Sequence, residues 1–175
     1  MSRFFPHTAY AEDQPLARTV LTTHVLTRAV TTGTIVGVTV ATARHIIPSL
    51  RRPGTLPAKV LRASVTGSLV GLGLTSVALV ARMHGREDIE WRDRSWRLLE
   101  NEGQLETDDW TYVGMGAAAA AAIGTGKVNA LGYKALVGAM GLGSVGGMVG
   151  YMIWRYGIYH GKFPERKTTE RTGGI

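Results

Sequence analysis

The sequence predicts an all-α integral membrane protein. It has four transmembrane helices with small-xxx-small packing and a short amphipathic helix in the one long loop. Three observations carry this prediction. Residues 29–43, 63–81, 111–126 and 135–154 hold no charged side chain, and each stretch is studded with glycine. The charge lies between them instead, with five arginines and nine carboxylates in residues 82–109 alone. Small residues also recur four apart within every stretch. A mean hydropathy of +0.04 hides this segregation. A soluble helix would carry a polar face at helical spacing, and the second and fourth stretches offer only Ser and Thr.

A helix rises about 1.5 Å per residue, so roughly 20 residues cross a hydrocarbon core about 30 Å thick. The expected spans are residues 22–47, 59–83, 111–127 and 134–156, within a membrane domain of residues 18–160. Residues 1–17 read as a polar tail and residues 161–175 as a flexible basic one. The first helix runs to Ile47, where Pro48 stops it. It carries His24 and Arg28 one turn apart on one face. These two stand either at headgroup level or inside the bundle, where an ionisable group usually has a function. A Pro/Gly loop leads to the second helix.

The connection 84–110 reads as an interfacial loop. Ile89, Arg92, Trp96 and Leu99 fall at helical spacing there, which suggests a short helix lying on the membrane surface. The third stretch contains six consecutive alanines, which form helix well but contribute little apolar area. It is the weakest span and is better suited to enclosure by other helices. The fourth ends in an aromatic belt of Trp154, Tyr156 and Tyr159.

The two short loops hold Arg44, Arg51, Arg52, Lys59, Arg62, Lys127 and Lys134 and no acid, so the net charge of +7 sits on them. These loops are expected on the inside face, with both termini outside. The absence of cysteine excludes disulfides, thiolate metal sites and a cysteine nucleophile. No histidine pair has metal-ligand spacing, no Ser/His/Asp set is recognisable, and no catalytic residue, metal site or cofactor is expected. Residues 1–18 lack the apolar run of a secretory signal and contain Glu12 and Asp13, unusual in a mitochondrial presequence. Gly-Leu-Gly-Ser-Val-Gly (141–146) has dinucleotide-fingerprint spacing but lies inside an apolar helix, so it reads as packing. The sequence pI of 10.1 follows from basic membrane loops and implies no nucleic-acid partner.

In lipid, helices associate through close backbone approach and interhelical hydrogen bonds. The candidate packing residues are Gly33 and Gly37 on the first helix, Gly67 and Gly71 on the second, Gly116 and Gly124 on the third, and Gly143 and Gly147 on the fourth. Arg44, Arg51, Arg52, Lys59 and Arg62 stand at adjacent helix ends and could hold an anionic lipid headgroup such as cardiolipin.

Two resemblances follow from these residues. Four glycine-patterned spans with a basic first loop look like the Tim-type family of mitochondrial inner-membrane proteins, which implies a translocase component. The opening 1–28, Met-Ser-Arg-Phe-Phe-Pro-His-Thr through Pro-Leu-Ala-Arg-Thr-Val-Leu, and the loop 91–104, Trp-Arg-Asp-Arg-Ser-Trp-Arg-Leu-Leu-Glu, resemble the fungal NUXM-type accessory subunits of mitochondrial NADH:ubiquinone oxidoreductase. The second resemblance covers the whole chain. It implies a non-catalytic supernumerary subunit in the membrane arm of respiratory complex I, without a cofactor and not a stand-alone monomer. Its partners would be other membrane-arm subunits and phospholipid. The setting would be the mitochondrial inner membrane, with both termini in the intermembrane space. A small channel or proton-coupled carrier built on His24 and Arg28 is a third reading.

Overall fold

The computed structural model describes residues 4–51 and 53–162; Arg52 and the basic tail 163–175 lie outside the described residues. All regular structure among them is helical. Helix α1 spans Ala17–Ile46, α2 Leu56–Met83, α3 Asp88–Glu100, α4 Glu102–Gly124, α5 Lys127–Leu131 and α6 Tyr133–Met152. The last continues as π-helical turns through Ile153–Ile158. Among the described residues three helices are long and apolar enough to cross a membrane: Ala17–Ile46, Leu56–Met83 and Tyr133–Ile158.

Local chemistry sets the boundaries. The last turn of α1 carries Arg44 and His45, which suit the negative end of the helix dipole. Pro48 then opens a 3-10 turn. Helix α2 begins behind Thr55, with a proline in its first turn where the missing N–H costs nothing. Helix α3 opens on a capping box in which Glu87 and Glu90 satisfy each other's backbone amides. Helix α4 is capped by Asn101, whose side-chain oxygen accepts from the Gln104 amide at 3.1 Å.

That cap moves the third long helix. It begins at Glu102, nine residues before the expected start at Thr111, so part of the interfacial loop 84–110 is helix. Glu106, Asp108 and Asp109 therefore stand on the same rod as the alanine run. At 23 residues the rod is about 35 Å long.

Helix α1 lies against α2, and α4 lies against α6. The pairs meet mainly through α2 and α6, with α1 also touching α6. The alanine-rich α4 is not enclosed: Val113 and Ile123 stay exposed, and so do Ala117, Ala120 and Ala121. It touches α1 only briefly.

Helix α3 packs against the first turns of α1 and α4, and its buried side faces protein. Leu99 packs with Val20 and Leu105, and Phe5 and Leu98 close the cluster. The segment preceding α1 folds over α3. Trp96 Nε1 donates to the Thr8 carbonyl at 3.1 Å, and Arg92 donates to the Glu12 carbonyl. Gln14, almost fully buried, donates to the Pro6 carbonyl at 2.9 Å. The expected polar tail is, from residue 4 onward, part of a small cap. Helical spacing identified α3, but only the fold supplies the apolar partners that cover it.

Candidate functional site

The seam between α1 and α2 is built on glycine. A Cβ added at Gly33 would collide with the Gly67 carbonyl oxygen, and one at Gly67 would strike the Gly33 carbonyl. One turn away, a Cβ on Gly37 would come within 2.5 Å of the Ala63 oxygen, and one on Gly71 within 2.5 Å of the Ala29 oxygen. Real Cβ contacts essentially never fall below 3.0 Å. The two backbones therefore touch over two turns, and no other residue fits at these four positions without moving them apart.

The α4–α6 seam repeats the device with different partners. Gly143 and Gly147 meet backbone at Gly114 and Trp110 respectively. A Cβ on Gly114 would in turn hit the Gly143 carbonyl. Gly116 and Gly124, expected to pack α4, have open space where a Cβ would project, and Gly114 takes their place. The expected stripe 116, 120, 124 is offset from the actual seam by about half a turn, which the run of alanines leaves undetermined.

Hydroxyls fill the junction of α1, α2 and α6. Thr34 Oγ1 and Ser68 Oγ lie 2.8 Å apart, and Ser64 Oγ donates to the Gly138 carbonyl at 2.8 Å. Ser144 Oγ donates to its own helix at Gly141 O, 2.7 Å away. All four residues are buried. Gly141 makes room for them, because a Cβ there would meet the Ser64, Thr34 and Ser68 oxygens at 2.5–2.7 Å. Bonds of this kind satisfy polar groups that lipid cannot.

His24 and Arg28 acquire a partner that charge spacing alone did not reveal. Asp108 on α4 places Oδ2 2.5 Å from His24 Nδ1 and Oδ1 2.8 Å from an Arg28 guanidinium nitrogen. The aspartate side chain is 8% exposed. Arg28 also donates to the Gln104 side-chain oxygen at 3.3 Å. Next to this cluster the Thr27 hydroxyl lies 3.4 Å from the Tyr112 hydroxyl. The carboxylate engages both side chains and so pins the first turns of α4 to α1. The usable signal was the Asn101-to-Gln104 cap, which puts Asp108 on a helix.

The predicted lipid-headgroup residues separate. Arg44, Lys59 and Arg62 line one end of a groove of about 910 Å³ that follows the α1–α2 seam. Arg51 does not line it, and Arg52 lies outside the described residues. The floor is the four seam glycines, the walls include Val36, Val40, Val70 and Leu74, and the far end reaches His24 and Arg28. Lys59 Nζ stands 3.1 Å from His45 Nδ1.

No curated protein matches the chain. A family model described as a protein of unknown function, DUF1757, matches residues 6–153. That range runs from the cap, through both glycine seams and the Asp108 cluster, to the end of α6. The chain belongs to the DUF1757 family.

Proposed function

We propose that this protein is a non-catalytic accessory subunit of the membrane arm of mitochondrial respiratory complex I, supporting assembly and stability through helix packing and lipid contacts. In this reading α4 is a fourth membrane-crossing rod, both termini lie in the intermembrane space, and electron transfer and proton pumping belong to other subunits. The observation that carries it is the uncovered outer side of α4. Gly116, Ala120 and Gly124 form a small-residue face with open space above both glycines. An alanine rod with four carboxylates in its first eight residues is poorly suited to face lipid. A neighbouring subunit's helix laid on that face would cover it and satisfy the packing rules of the bilayer.

The test is blue-native electrophoresis of detergent-solubilised mitochondria with identification of the band that carries the chain. A megadalton NADH-oxidising band supports the reading. Migration with a smaller translocase band would replace it with the Tim-type alternative.

One observation favours a second reading. Asp108 adds a carboxylate to His24 and Arg28, and ionisable groups of these kinds within membrane segments mark proton relays and ion pathways. Proton flux into liposomes holding the purified chain, lost in Asp108→Asn, would support it.

A further inference from the structure

We propose that the α1–α2 groove seats one acyl chain of an anionic phospholipid, with the phosphate held by Arg44, Lys59 and Arg62. The inference rests on α1 and α2 lying in a membrane and is independent of which assembly the chain joins.

The shape comes from the seam itself. Gly33, Gly37, Gly67 and Gly71 have no side chains, so the helices meet at the floor of a trench. Val36, Val40, Val70 and Leu74 rise on either side as apolar walls. From Arg44 back to Gly33, α1 advances about 16 Å. That is the depth of one leaflet in a hydrocarbon core roughly 30 Å thick. A chain whose phosphate sits at the basic end therefore terminates over the glycine floor.

Charge decides which end takes the headgroup. At the far end Arg28 is paired with Asp108 and bonded to Gln104, so its charge is already answered by the protein. At the near end no carboxylate lines the groove. Arg44 and Arg62 are exposed there, and no carboxylate ion pair with either occurs among the described residues. Lys59 lines the same end of the groove, with Nζ 3.1 Å from His45 Nδ1. Three cations thus converge at one membrane surface above an apolar trench, the complement of a phosphate on a hydrocarbon chain. A zwitterionic lipid offers the same chain but carries its own cation.

The experiment is native mass spectrometry of the full-length chain titrated with dioleoylphosphatidylglycerol or dioleoylphosphatidylcholine. Each basic residue near an anionic headgroup contributes roughly a factor of five. The wild type should therefore prefer phosphatidylglycerol by at least about tenfold. Arg44→Gln, Lys59→Gln and Arg62→Gln together should reduce that preference to less than about twofold, whereas Arg44→Lys with Arg62→Lys retains it. Val36→Trp with Val70→Trp fills the trench and should weaken both lipids alike. The proposal is overturned if the triple glutamine variant keeps the preference. It is overturned equally if the tryptophan pair leaves phosphatidylglycerol binding unchanged, which would mean a headgroup contact without a seated chain. Blue-native migration reads a different property, so failure here and failure of the assembly reading are separable.

Discussion

Gly33 and Gly67 each occupy the space that a side chain on the other would need: a methyl on either residue would run into its partner's carbonyl oxygen. The reciprocity makes α1 and α2 a single unit rather than two neighbouring rods. Neither helix can be displaced without opening both contacts.

Substitution at this pair is therefore expected to separate the helices. Overpacking in a well-packed core costs about 1–3 kcal/mol, and Gly33→Leu or Gly67→Leu should fall at or above the upper end because the obstacle is backbone. Gly116→Leu, facing open space, should leave stability in detergent within about 0.5 kcal/mol. Thermal unfolding of the purified variants followed by helical circular dichroism measures the difference.

The Asp108 pin makes a coupled prediction. Breaking a buried ion pair from one side typically costs 3–5 kcal/mol, and Arg28 keeps some exposure, so Asp108→Ala should cost about 3 kcal/mol. Arg28→Gln should cost much less once Asp108 is already gone. A double-mutant cycle in unfolding free energy reads the coupling, and additivity would show that the two residues do not share an interaction.

The hydroxyl junction should respond weakly but specifically. Thr34→Val removes one side of the Thr34–Ser68 bond and is expected to cost about 0.6 kcal/mol, up to roughly 1.7. Gly141→Ala should cost more than Thr34→Val, because its methyl enters the space of three oxygens. The same thermal measurement ranks the two.

The outer face of α4 makes the functional prediction. On the proposed assembly role, Gly116→Leu with Gly124→Leu should preserve the fold of the isolated chain and lower its share of the proposed large assembly. Quantitative blue-native comparison of wild type and variant checks this, with circular dichroism as the control for folding.

Much of this molecule was legible in its residues. The uncharged stretches predicted α1, α2 and α6 to within a few residues, because length and apolarity are local properties. Gly33, Gly37, Gly67 and Gly71 were readable because they are the only glycine pairs four apart on their helices. Gly114 was not, since a stretch of alanine beside Gly116 leaves the rotation of α4 undetermined. Asp108 was hidden by assigning its neighbourhood to a loop. Its charge marked it as surface until the Asn101 cap placed it on a helix facing His24. The fold of residues 4–16 onto α3 depends on long-range contacts such as Trp96 to Thr8, for which no local pattern exists.

The most direct test of the bundle is its sidedness in the membrane. The chain has no cysteine, so single cysteines at Ser49, Arg86, Glu100 and Asn129 can be labelled with a membrane-impermeant thiol reagent in sealed vesicles. Four crossing rods require Ser49 and Asn129 to react from one side and Arg86 and Glu100 from the other. Labelling of Glu100 and Asn129 from the same side would mean that α4 does not cross, and the account of two clasped membrane pairs would be wrong.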